Sequence, residues 1–161
     1  MRMRSAAVFV VGVTLMLGAM SAGAFTLNKR SGESVDFNTL IGDGRWTLIM
    51  VWEVDCVFCE QQKPDVDAFH RRNVDSNARV VGVALDGLQA IDDINKVVRR
   101  TPTRFPHFVV DRERFRLDLL AATGTQLVAT PTYLLYSPDG QFQGAPVGSI
   151  DYQMLEDIVT P

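Results

Sequence analysis

Cysteine is scarce in this chain, with two in 161 residues. Two cannot build the disulfide scaffold of a small secreted domain, nor a four-thiolate metal site. Histidine is equally scarce. A zinc site would need Cys56, Cys59 and both His70 and His107, so no metal is expected. Clustered basic residues are missing too. The formal net charge is −3, which argues against nucleic acid, because phosphate binding needs grouped Lys and Arg. There is no G-x-G-x-x-G loop, so no nucleotide cofactor is expected. Repeats and low-complexity stretches are also absent. What remains is ordinary globular composition, 47% apolar and 22% charged, in a chain of about one domain that can bury a core.

The first 24 residues read as an export signal. Arg2 and Arg4 precede an uncharged run, Ala6–Met20, and Ala22-Gly23-Ala24 supplies the small residues that a signal peptidase reads. The run is shorter than the roughly 20 residues that span a bilayer comfortably. Cleavage after Ala24 is the expectation, with a retained anchor as the alternative. Residues 25–161 then form the working domain, and the expected location is the periplasm. An exported chain meets an oxidising compartment, which moves the cysteine pair from metal ligation toward redox chemistry.

Strand and helix patterns alternate through the domain. Phe25–Asn38 reads as a short lead-in with a polar turn at Arg30–Glu33. Thr47–Trp52 is a nearly continuous apolar run, the signature of a strand buried on both faces. Cys56 to Arg72 reads as a helix with Phe58, Val66 and Phe69 inward, kinked by Pro64, which lacks a backbone donor. Arg79–Leu85 is a second buried strand. Leu88–Arg100 has apolar residues at helical spacing. Phe108–Val110 is extended, and Phe115–Thr123 is a short helix ending at Gly124. Thr132–Tyr136, the turn Ser137-Pro138-Asp139-Gly140 and Gln141–Ala145 make a hairpin. Asp151–Val159 closes as a helix with Met154, Leu155 and Ile158 on one side. The pattern predicts an α/β fold, a central mixed sheet with helices on both faces.

The cysteines stand where a buried strand hands over to a helix, in Trp52-Glu53-Val54-Asp55-Cys56-Val57-Phe58-Cys59. Cys56 falls near a helix N-terminus, where unpaired N–H groups and the macrodipole favour an anion. The useful anion is a thiolate, the nucleophile of disulfide exchange. A second thiol one turn on can attack a mixed disulfide and release the substrate. An inert structural disulfide is the competing reading, but so small a loop stabilises little.

Val51-Trp52, the C-x-x-C pair, Pro64 five residues beyond it and Thr130-Pro131-Thr132 together resemble the thioredoxin superfamily, across roughly Thr47–Val159. The resemblance implies a thioredoxin fold, Cys56 as nucleophile, Cys59 as resolving thiol and Pro131 as a cis-proline beside the pair. Thr130 would then offer backbone groups to the substrate chain. Trp52, Asp55 and Pro64 are supporting positions. Two narrower resemblances divide. Trp52, the lead-in from Phe25 and Pro64 look like exported, membrane-associated thioredoxins that reduce apocytochrome thiols, although Asp55 replaces their usual tryptophan and Gln62 a buried glutamate that some carry. Val128–Thr132 and Leu85-Asp86-Gly87 look more like the periplasmic thiol–disulfide isomerase of conjugative type IV secretion systems. Either implies exported, cysteine-containing protein substrates and a membrane or periplasmic redox partner. The dimerisation domain of dimeric isomerases has no room here, so a monomer, or a chain that depends on a partner, is expected.

The residues also suggest how the pair is tuned. Val57 and Phe58 carry no charge, leaving the helix terminus as the visible source of thiolate stabilisation. Asp55 and Glu60 oppose a very low thiol pKa, which suits a reductase or isomerase better than a strong oxidant. Glu53 and Asp55 read as solvated loop charges, with proton transfer to or from the resolving thiol as the alternative. His70 reads as a solvated or C-capping residue and His107 as a structural loop residue. Trp52 reads as core, and the arginines of Arg99-Arg100 and Arg112–Arg116 read as exposed helix faces.

Overall fold

The computed structural model describes residues 25–160. The predicted export signal and its cleavage site lie outside the described residues. Seven strands form one sheet: β1 (Thr26–Lys29), β2 (Ser34–Asp36), β3 (Trp46–Trp52), β4 (Ala78–Ala84), β5 (His107–Val109), β6 (Thr132–Tyr136) and β7 (Phe142–Gly144). Their spatial order is β2-β1-β5-β4-β3-β6-β7. Four helices accompany them: α1 (Val57–Asn73), α2 (Ile91–Arg100), α3 (Arg112–Thr123) and α4 (Tyr152–Val159). β3, β4 and β5 are mutually parallel, whereas β1 and β6 join antiparallel on either side. This is the mixed α/β sheet that the strand–helix alternation predicts, in the thioredoxin-like arrangement that the family resemblance implies.

β3 explains the apolar run. It is central, so both faces are covered, and successive side chains go to opposite cores. Leu48, Met50 and Trp52 join Val66 and Phe69 of α1, Ile94 and Val97 of α2, and Leu155 and Val159 of α4. Ile49 and Val51 join Phe115 and Leu119 of α3, with Phe25 and Phe37. Both cores are therefore pinned to the strand that ends four residues before Cys56.

Several readings change. The lead-in is a hairpin: Leu27 pairs with Val35, and β1 continues into the sheet by pairing with β5. Its turn does fall at Arg30–Glu33, closed by Lys29 N–H donating to the Glu33 carbonyl at 2.8 Å. Phe58 points outward, 68% exposed, because Cys59 and Val66 occupy the buried stripe of α1. α1 runs unbroken across Pro64, which sits on the exposed side. In α4 the buried pair is Leu155 and Val159, while Met154 and Ile158 are exposed. α3 begins earlier than the apolar pattern suggests, because Asp111 caps it by accepting from the Arg114 N–H at 3.0 Å. Gly124, at φ +71°, ends it in the left-handed conformation.

His70 departs from its solvated reading, and His107 departs from its loop placement while keeping a structural role. His70 is buried, and its Nδ1 accepts the Val80 N–H at 3.0 Å, tying α1 to β4. Burial holds its pKa below the ordinary imidazole value. His107 lies in β5 rather than a loop. Its ring covers Gly82, where an added Cβ would come within 2.2 Å of His107 Nδ1. Glycine at position 82 is thus a close-approach requirement.

Candidate active site

Cys56 is the N-cap of α1, with extended backbone (φ −87°, ψ 94°). Its Sγ accepts from the Cys59 N–H at 3.1 Å. The sulfur thereby occupies the place of a capping oxygen, among the unpaired donors of the first helical turn. Cys56 and Cys59 are joined as a disulfide with their Cα atoms 5.2 Å apart. Cys59 is fully buried, whereas Cys56 is half-buried at the surface. A substrate disulfide can reach only the first sulfur, and the second is held to attack from within.

Cys56 opens on a cleft of about 420 Å³. Glu53, Asp55, Val57, Phe58, Asp86 and Thr130 complete its lining. The Thr130–Pro131 bond is cis, and Pro131 is buried while Thr130 faces the cleft. The Pro131 carbonyl accepts the Gly148 N–H at 2.8 Å. Thr130 therefore lines the same cleft as Cys56, about 75 positions away along the chain, with Pro131 following it through the cis bond. Trp52 is fully buried beneath the pair and has no surface to offer a substrate. Asp55 is exposed at the cleft margin, and Pro64 is remote from it on α1.

Glu53 is not a free loop charge. Its carboxylate accepts from Arg112 Nε at 3.1 Å and Nη2 at 2.9 Å, and from the Thr130 hydroxyl at 3.0 Å. One side chain thus links the end of β3, the start of α3 and the Thr130–Pro131 loop. Asp86 does related work at the end of β4, accepting the Val54 N–H at 3.1 Å. Burial raises its pKa above the usual carboxylate value, and Glu53 and Asp55 add to that rise. Glu60, one of the two carboxylates expected to oppose a thiolate, is paired with Arg100 at 2.8 Å. Gln62 accepts the Ile150 N–H at 3.2 Å and serves packing of the segment before α4.

The residue that sequence reasoning missed is Lys63. It lies four positions after Cys59 and is fully buried. Its Nζ sits 3.7 Å from the Trp52 ring centroid, with no hydrogen-bond partner. Burial pulls its pKa down to about 8. The helical stripe Cys59-Lys63-Val66 could have revealed it, because a lysine at the centre of an apolar face is unusual. His107, below Trp52, is hydrogen-bonded through Nε2 to the Thr103 hydroxyl at 2.8 Å. Burial and the nearby Lys63 charge push its pKa down to about 3, so its ring is neutral.

A C-x-x-C disulfide at a helix N-cap, a buried second sulfur and a Thr-Pro loop lining the same cleft define a thiol–disulfide oxidoreductase of thioredoxin-like fold, with Cys56–Cys59 as its redox-active pair. The chain matches the AhpC/TSA family over residues 19–144 and belongs to that family. Among solved structures it is similar to the thioredoxin domain of a thiol-disulfide oxidoreductase from Bacteroides vulgatus, at 21% identity and a TM-score of 0.70, covering 86% of this chain and 95% of that one. It is also similar to a secreted Mycobacterium tuberculosis disulfide oxidoreductase described as homologous to E. coli DsbE (18%, TM-score 0.63, 84% and 93% covered). StoA from Bacillus subtilis shares the fold at 16% identity, with a TM-score of 0.63 and 84% and 96% covered. Comparison with curated proteins gives no match.

Proposed function

We propose that this chain is an exported, periplasmic thiol–disulfide reductase or isomerase that acts on cysteine-containing exported proteins. The carrying observation is the surface around Cys56. Val57 and Phe58 are 64% and 68% exposed, and Val128, two residues before Thr130, is 69% exposed. Exposed apolar side chains grouped at a reactive sulfur suit an unfolded or flexible protein segment better than a small polar thiol. In the reduced enzyme the Cys56 thiolate attacks a substrate disulfide, forming a mixed disulfide and releasing one substrate sulfur. Cys59, deprotonated, then attacks Cys56. The Cys56–Cys59 bond forms, and the second substrate sulfur leaves with the electron pair. A redox partner in the membrane or periplasm returns two electrons.

The narrower reading is the isomerase of conjugative type IV secretion. Its two sequence segments meet at one place, since Asp86 and Thr130 line the same cleft as Cys56. A Cys59→Ser variant tests both levels, because it cannot resolve and holds its substrates at Cys56. Secretion-system components in the trap support the narrower reading. Cytochrome apoproteins would instead mark a maturation reductase. Wild-type protein that neither reduces insulin nor refolds a scrambled disulfide substrate would point to a non-catalytic assembly module.

A further inference from the structure

Among the described residues, four buried side-chain polar atoms lack a partner: Trp52 Nε1, Lys63 Nζ, His107 Nδ1 and Tyr133 Oη. Three of them stack on one another through Trp52, which shares a core with Cys59. Lys63 lies over the Trp52 ring, and Trp52 meets His107 edge-on at 5.4 Å between centroids. Trp52 and Tyr133 also share a core with Cys59. Unpartnered buried polar groups are costly and uncommon, so a group of them beside a reactive centre calls for a functional account. Of the four, Lys63 is the group that changes charge near neutral pH. Four residues apart on α1, Cys59 and Lys63 occupy the same helical face, where side chains are neighbours. Both are fully buried.

We propose that Lys63 is the buried proton carrier of the resolving thiol Cys59. This rests on the thiol–disulfide exchange described above. In the mixed disulfide, Cys59 is a thiol out of reach of water, and it must lose its proton to attack. Titrating near 8, Lys63 keeps a minor share of neutral amine at pH 7, and that amine takes the proton, giving an ammonium beside a thiolate in a low-dielectric site, where each ion stabilises the other. The thiolate then forms the Cys56–Cys59 bond. The departing substrate sulfur takes the electron pair, and the proton passes out to it through solvent. With the disulfide closed, as here, the ammonium has no anion to face and burial lowers its pKa to about 8, so it gives up its proton more readily than an ordinary lysine. Two charged groups bear on Lys63. Glu60 favours the ammonium and Arg100 opposes it, and these two are paired with each other. His107 from β5 is neutral. Cys59 is therefore the partner whose ionisation changes during the cycle.

The test follows the two thiolates released when reduced protein meets one equivalent of a chromogenic nitrobenzoate disulfide. The first release reports attack by Cys56, and the second reports resolution by Cys59. Lys63→Met should leave the first within about twofold of wild type. It should slow the second about tenfold at pH 7, moving its pH midpoint up by about one unit. An unchanged second phase with an unchanged midpoint overturns the proposal. If Lys63→Met does not fold, the lysine amine is titrated by NMR in Cys56→Ser protein with and without Cys59→Ser. A difference of a unit or more supports the coupling, and identical titrations overturn it. A wild type with no first release refutes thiol–disulfide exchange itself, an outcome distinct from either result on Lys63.

Discussion

Replacing Lys63 with methionine should stabilise the oxidised protein near neutral pH. The buried amine titrates near 8 in the folded chain against 10.5 for an ordinary lysine. The folded value is the lower one, so the unfolded chain binds more protons between those two pH values, and stability rises with pH across that window. Below about pH 8 the protein bears the full cost of burying the charge, which is about 3 kcal/mol for a shift of this size. Methionine has similar length and removes that cost. It also forfeits the contact of the ammonium with the Trp52 ring, about 1–2 kcal/mol. The expected net gain is about 1–2 kcal/mol at pH 7, read as a higher guanidinium midpoint with an unchanged slope. At pH 9.5, about 1.5 units into that window, the gap should have shrunk by about 2 kcal/mol, and the effect is complete only above 10.5. A methionine variant that is less stable at pH 7, with a difference that does not vary with pH, would refute the reasoning.

Three further outcomes follow from the same geometry. Gly82→Ala should lower stability by about 1–3 kcal/mol in thermal unfolding, because the new Cβ meets His107 Nδ1 at 2.2 Å; a neutral result would mean that the ring is free to move. His107 should stay neutral in NMR titrations down to about pH 4, its pKa lying near 3, and a midpoint near 6.5 would show that it is not buried. The same depressed value makes the folded state lose stability as pH falls below about 6.5, since the unfolded imidazole protonates first. Glu53→Gln weakens the link among Arg112, Thr130 and β3. It should raise KM for insulin several-fold while leaving the first reaction with a small aromatic disulfide near wild type; equal effects on both substrates would contradict a role in holding the Thr130–Pro131 loop.

The parts of the fold legible in sequence are those written in local pattern. The β3 run, the start of α1 at Cys56 and the Ser137–Gly140 turn need only residues close in the chain. The hairpin β1–β2 was not legible, because strands of four and three residues carry too little alternation and are fixed by pairing with the distant β5. Asp111 capped α3 a full turn before its apolar spacing began. α4 shows a finer failure: Met154 and Ile158 share the four-residue spacing of Leu155 and Val159, and only packing decides which pair turns inward. At the site, Cys56, Cys59 and Thr130-Pro131 were visible because their chemistry lies in residue type and spacing. The Glu53–Thr130 contact spans 77 positions and has no local signature. Lys63 and His70 were hidden by the sound expectation that charged and imidazole side chains at such positions face water.

The central claim is that Cys56 at the α1 N-cap is the attacking sulfur and Cys59 the resolving one. It is tested most directly by incubating reduced wild type, Cys56→Ser and Cys59→Ser with a disulfide-bonded protein substrate, quenching with acid, and separating the products by mass. Wild type should convert to the Cys56–Cys59 disulfide as the substrate is reduced. Cys59→Ser should accumulate a stable mixed disulfide at Cys56, and Cys56→Ser should form none. A mixed disulfide on Cys59 in the Cys56→Ser protein, at a rate comparable to that of the Cys59→Ser trap, would contradict the account.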